Sequence, residues 1–127
     1  MALVDRALDL GALLATSYEI EGDRRVRLRL ARPSDVPLVT EFLAGGSGGA
    51  PRELVRRFTF YDPRERVVLA ATMLADGRER IVALGDAAFT DLPEVVLDDE
   101  LEDTALADLM TEAVAYYTRV RPRCSAA

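Results

Sequence analysis

The spacing of apolar residues in the first half of the chain predicts three helices and a strand. Apolar side chains recur every three or four positions in 3–16, 34–44 and 50–58, which is typical of amphipathic helices, although Gly11 weakens the first. Between the first two, residues 24–30 alternate apolar side chains with arginines, as in a strand with one solvated face. These arginines could form a phosphate-binding face, but the simpler interpretation is that they are solvated strand residues.

The second half reads as three strands in a hairpin-like series, followed by a helix. Residues 66–75 are almost continuously apolar, and Asp76–Gly77 is a pair that favours a tight turn into a return strand at 79–89. A short strand at 93–97 then precedes apolar positions spaced as in a helix over 106–117. The order predicts one α+β domain: helix, strand, two helices, three-stranded meander and helix.

Composition narrows the chemistry that the chain can perform. The 127 residues contain no His and a single cysteine, Cys124, which excludes Ser–His and Cys–His nucleophile pairs, internal disulfides and most zinc sites. The net charge of −6, with all 16 basic residues arginine, argues against non-specific nucleic-acid binding. The apolar run at 67–75 is too short to span a bilayer and the N-terminus is a poor signal peptide, so we expect a cytoplasmic protein without a membrane partner.

The turn before the last helix is crowded with carboxylates. The segment LDDELEDTALADLM, at 97–110, runs from a strand through a turn to a helix N-terminus, an arrangement that often binds phosphate. Acidic side chains there interact favourably with the helix dipole, and Asp99 and Glu102 have the spacing of a capping box. The acids could instead hold Mg²⁺ or Ca²⁺, but the glycine and ligand spacing of a calcium loop is missing, so no metal is predicted.

Four segments together resemble the GNAT (N-acetyltransferase) superfamily, notably bacterial protein-acetyltransferase-like domains. They are VRLRLARPSDVPLVTEFL, RELVRRF, YDPRERVVLAA and DDELEDTALADLMTEAV, within roughly 24–120. The resemblance implies a partial GNAT-like fold: a mostly antiparallel sheet of about four strands, flanked by helices and lacking the family's C-terminal strands. The corresponding division is an N-terminal helical extension at 1–20, a truncated GNAT-like domain at 21–120 and a C-terminal tail at 121–127.

The family's coenzyme A loop has the pattern Gln/Arg-x-x-Gly-x-Gly/Ala, and this chain departs from it. An ungapped match puts Leu101 at the Gln/Arg position and Thr104 and Leu106 at the two glycines. Glu102 and Asp103 would point negative charge at a pyrophosphate. The resemblance therefore implies a degenerate cofactor loop, and no cofactor is expected.

The catalytic positions of the family are matched weakly. The family usually carries an acidic general base beside its fourth and fifth strands, where Asp91 and Glu94 are weak candidates; a solvent-facing role for both is simpler. In the family, the tyrosine that protonates the leaving thiolate comes after the helix that corresponds to 106–117. Tyr116 and Tyr117 lie inside that helix and are expected to be core or interface residues. No catalytic residue is therefore assigned.

These features predict a catalytically inactive GNAT-like domain that serves as a binding, regulatory or dimeric assembly module. The strand at 93–97 would have an open edge, which the N-terminal helix or a second copy of the chain could cover, so we expect a homodimer, with a further protein partner possible. The alternative is an acetyl-CoA-dependent N-acetyltransferase whose site a partner subunit completes. The arginines of 24–30 and Arg56–Arg57 would then have to bind the phosphates.

Overall fold

The computed structural model describes residues 16–22, 24–44, 51–88, 94–101 and 104–125. The elements, numbered in chain order, are strands β1 (Ser17–Glu21) and β2 (Arg24–Leu30), helices α1 (Val36–Ala44) and α2 (Arg52–Thr59), strands β3 (Arg66–Ala75), β4 (Arg78–Ala88) and β5 (Glu94–Leu97), and helix α3 (Leu106–Ser125). Short 3₁₀ turns at Pro33–Asp35 and Asp99–Leu101 precede α1 and α3. The predicted helix at 3–16 and the candidate base Asp91 lie outside the described residues.

The described strands form one antiparallel sheet in the order β1-β2-β3-β4-β5. Strand β1 was not predicted, and residues 17–20 belong to the sheet rather than to a helical extension, so the sheet has five strands instead of about four. The strand is only five residues long, and Ile20 is its one fully buried side chain. Too few positions alternate there for a period of two to be visible.

The hairpin between β3 and β4 confirms the turn prediction. Asp76 and Gly77 both have positive φ angles, 54° and 78°, as a two-residue turn that matches the twist of its strands requires. The described strands need no crossover connection, because each of them pairs with its neighbour in sequence. The meander predicted for 66–97 is thus confirmed.

The sheet lies between two helical layers, which explains the continuous apolar run of β3. Alternate residues of this strand face opposite layers: Val67 and Leu69 pack with α3, whereas Val68 and Ala70 pack with α1 and α2. Burial on both faces removes the usual alternation of apolar and polar residues.

The helices begin and end at positions that differ from the sequence pattern. The buried Asp35 carboxylate accepts a hydrogen bond just before the start of α1, from the Arg32 N–H at 2.9 Å. Helix α3 continues to Ser125, so most of the predicted tail at 121–127 is helical. None of the described helices is long and apolar enough to cross a membrane.

Candidate functional site

The acidic turn after β5 is held by its own side chains. The Asp98 N–H donates to the Val82 carbonyl at 2.9 Å, which extends the pairing with β4 by one residue. The Asp98 carboxylate accepts the Glu100 N–H at 3.0 Å and lies 3.5 Å from the Arg80 guanidinium. This carboxylate therefore folds the turn. Within the described residues, no three acidic or cysteine side chains group as metal ligands.

The three amides that lead into α3 all have acceptors inside the chain. The Thr104 N–H donates to the Leu101 carbonyl at 3.2 Å, and the Ala105 N–H donates to the Ile20 carbonyl of β1 at 3.2 Å. The Leu106 N–H donates to the Thr104 hydroxyl, also at 3.2 Å. The hydroxyl in turn donates to the Leu101 carbonyl at 2.7 Å. Thr104 is thus the residue that caps α3.

The predicted capping box of Asp99 and Glu102 stays a prediction, because Glu102 lies outside the described residues. Asp99 itself lies in a 3₁₀ turn seven residues before the first residue of α3. The sequence pattern did not single out Thr104 as a cap because five acids precede it. The contact of Ala105 with β1 decides where the helix starts.

The three positions matched to the cofactor loop come together at this helix start. Leu101 and Leu106 are 1% and 0% exposed and pack in the core between the sheet and α3. Thr104 lies between them as the cap. Two of the three side chains therefore support the core at this point instead of facing a ligand.

An ion-pair cluster around the buried Asp86 lies beside β5, and the sequence pattern did not predict it. Asp86 of β4 is 1% exposed, and its Oδ2 atom lies 3.1 Å from Arg57 of α2 and 3.0 Å from Arg66 of β3. Glu94, the exposed candidate base on β5, lies opposite Asp86 in the ladder and 3.5 Å from Arg57. Asp86 Oδ1 is buried without a hydrogen-bond partner among the described residues. The sequence feature that could have indicated this cluster is a single Asp within the apolar stretch IVALGDAAF.

The cluster connects three elements. Two guanidinium groups bind one oxygen of Asp86, which anchors α2 and β3 to β4. Glu94 is held at the edge of this cluster by Arg57. The free Oδ1 atom can accept a hydrogen bond from a small donor.

Arginines proposed as phosphate ligands are mostly bound within the chain. Arg29 donates two hydrogen bonds of 2.7 Å to Asp35 and lies 3.2 Å from Glu79. The bonds to Asp35 raise the pKa of Arg29 above its ordinary range. Arg56 stacks over the Phe60 ring at 5.3 Å. Arg25 and Arg27, by contrast, form no ion pair with any described residue.

The whole arrangement resembles a solved acetyltransferase domain. The crystal structure of the GNAT domain of S. lividans PAT matches with a TM-score of 0.69 over 84% of this chain and 72% of that one, at 21% sequence identity. The chain has a GNAT-like fold. The predicted fold class is thereby confirmed, with one strand more than expected. No protein-family model and no curated protein matches the sequence.

Proposed function

We propose that this GNAT-like domain does not bind acetyl-CoA and serves as a catalytically inactive binding and assembly module. The observation that carries the proposal is the occupancy of the amides at the start of α3. A helix N-terminus binds anions through free N–H groups and its positive dipole end. Here the N–H groups of Thr104, Ala105 and Leu106 already donate to Leu101, Ile20 and Thr104.

Charge and packing support the same conclusion. Asp98 and Glu100 place carboxylates in the turn that would have to approach a pyrophosphate. Two unit charges about 4 Å apart repel by about 1 kcal/mol in water and about 4 kcal/mol at the effective dielectric of a protein surface. Replacing Leu101 or Leu106 with the family's polar or small residues would remove buried core side chains. These features support a structural role for the turn over a role in holding phosphate.

No described strand pairs with the outer edge of β5, and this edge gives the module a means of assembly. The Asp98 N–H donates to the Val82 carbonyl of β4. Because successive N–H groups of a strand point to opposite sides, those of Val95 and Leu97 point away from β4. Such an edge is a template for pairing with another strand. We expect two copies to pair their β5 edges about a two-fold axis, as most homodimers do, in a cytoplasmic setting.

A thermal-shift titration with acetyl-CoA tests the lack of cofactor binding. A ligand at about 100 times its dissociation constant stabilises a fold by about 2.7 kcal/mol, which moves the midpoint by several degrees. We expect no shift up to millimolar acetyl-CoA, while an active acetyltransferase measured in parallel shifts. Free coenzyme A serves as a second ligand, because it carries the same phosphates without the acetyl group.

A saturable shift, together with release of coenzyme A in the presence of an amine, would instead support the acetyl-CoA-dependent N-acetyltransferase alternative. In that alternative a partner subunit completes the site, so both ligands are also titrated at the highest attainable protein concentration. The result then does not depend on whether the chain is dimeric in dilute solution.

A further inference from the structure

A groove of about 540 Å³ lies between the first residues of β2 and the last residues of β3. Its volume is within the range of small-molecule pockets. Its lining combines arginines, hydroxyl groups, apolar side chains and one glutamate. The residues are Ser17, Arg24, Arg25, Arg27, Thr72, Met73, Leu74 and Glu79. The groove is far in the sheet from β5, at the opposite edge.

Two of the arginines that line this groove form no ion pair with any described residue, although Glu79 also lines it. Arg25 and Arg27 have no acidic oxygen within 4 Å among the described residues, whereas most other described arginines are paired. Glu79 is held by Arg29, and Glu19, which lies opposite Arg25 in the β1–β2 register, forms no ion pair with it. Two uncompensated guanidinium groups in a chain of net charge −6 make this groove attractive to an anion.

The strand geometry lets both arginines reach one anionic group. Side chains two residues apart in a strand lie on the same face, about 6.6 Å apart along it. Arg27 is paired with Thr72 in the last pair at this end of the β2–β3 ladder, and Arg25 lies just beyond it, opposite Glu19 of β1. Two residues further on, Arg29 is already bound by Asp35, which ends the available row of arginines.

The apolar part of the lining is exposed as well. Leu74 is 76% exposed, which is unusual for a large apolar side chain within a strand, and Met73 next to it is only partly buried. A ligand with an anionic group on an apolar body would satisfy the arginines and cover this leucine.

We propose that the groove binds a small organic anion. Its carboxylate, sulfonate or phosphate group pairs with Arg25 and Arg27, and its apolar part lies on Leu74. The site is independent of the proposed function, because it uses neither the start of α3 nor the free edge of β5.

A fluorescence titration with 8-anilinonaphthalene-1-sulfonate tests the proposal, since this probe joins a sulfonate to an apolar body. We expect saturable binding that weakens at least about tenfold in the Arg25→Gln/Arg27→Gln variant, because each charge-assisted bond is strong. The control variant Arg52→Gln/Arg64→Gln removes the same charge from two exposed positions outside the groove and is expected to bind within about twofold of the parent chain. Thermal melts establish that both variants are folded.

Two further measurements keep the outcome unambiguous. The neutral analogue N-phenyl-1-naphthylamine, which lacks the sulfonate, is expected to bind the parent chain and the groove variant equally. Amide NMR shifts caused by the sulfonate probe are expected at Thr72 and Leu74. Shifts centred instead on the cavity of about 380 Å³ beside Phe60 and Tyr61, or equal loss of affinity in both double variants, would overturn the proposal.

Discussion

At the scale of single residues, the strongest electrostatic feature is the pair formed by Arg29 and Asp35. Burial by itself would raise the pKa of Asp35, but hydrogen bonds from the Arg29 guanidinium and the Arg32 N–H outweigh it and hold that pKa below its ordinary value. The pair joins β2 to the turn before α1 and so fixes where this helix meets the sheet. Asp35 therefore has a structural role.

We predict that Asp35→Asn destabilises the fold by about 1.5–3 kcal/mol at neutral pH, the range for hydrogen bonds to charged groups. Because the folded-state pKa of Asp35 lies below the ordinary value of 3.8, its contribution is present above that value and is lost as pH falls through the folded-state pKa. Urea unfolding of parent and variant is measured at neutral pH and at about pH 2.5.

The difference in unfolding free energy is expected to narrow at the lower pH. Asp62→Asn is the matched control, because this exposed carboxylate also has a lowered pKa, through hydrogen bonding to the Arg64 N–H. Its effect at neutral pH is expected to be small. An Asp35→Asn effect that stays the same at both pH values would contradict the assignment.

At the scale of elements, the contact between β4 and α3 depends on a missing side chain. A Cβ atom built on Gly85 would lie 2.5 Å from Val114 Cγ2 and 3.2 Å from Met110 Cε. The φ angle of Gly85 is not positive, so the glycine is required by the close approach of the helix and not by backbone strain.

We predict that Gly85→Ala destabilises the fold by about 1–3 kcal/mol through overpacking. Val114→Ala, which removes the nearest methyl groups, creates a cavity on its own but relieves the clash in the double variant. A double-mutant cycle by denaturant unfolding is therefore expected to give a coupling of about 1 kcal/mol or more. Strict additivity of the two changes would show that α3 does not pack this closely on β4.

The cap of α3 gives a second prediction at this scale. Thr104→Ala is expected to cost about 1 kcal/mol of unfolding free energy, because the Leu106 N–H loses its acceptor. Thr104→Ser keeps the hydroxyl and is expected to cost much less. Asp99→Ala, at the position that the sequence pattern predicted as the cap, is expected to lower the melting temperature less than Thr104→Ala. A larger loss for Asp99→Ala would show that the acidic turn caps the helix.

The sequence predicted those features that depend on contacts between residues close together in the chain. The β3–β4 hairpin was predictable because Asp76–Gly77 and the apolar run before it act over neighbouring residues. The Asp86 cluster was not, since its arginines come from α2 and β3, 29 and 20 residues away in sequence. The cap was missed for a similar reason: the Ile20 carbonyl that positions Ala105 belongs to the distant strand β1.

At the scale of the whole molecule, the sheet has two edges with different properties. The β1 edge is five residues long and carries two glutamates, and charged side chains on a short strand discourage pairing. The β5 edge carries Val95, Val96 and Leu97, all half-buried. Among the described strands only β4 pairs with β5, so the outer side of β5 is the edge that favours association.

We predict that the chain sediments as a dimer at micromolar concentration and that Val95→Pro converts it to a monomer. The Val95 N–H points away from β4, so proline there removes a donor from the free edge without breaking a bond of the existing ladder. Val95→Ala keeps that N–H and is the matched control, expected to remain dimeric even though it removes part of the same side chain. Sedimentation velocity measures the three proteins, and thermal melts check that the proline variant is folded. A parent chain that is monomeric, or an alanine variant that dissociates as fully as the proline variant, would rule out pairing through the β5 backbone.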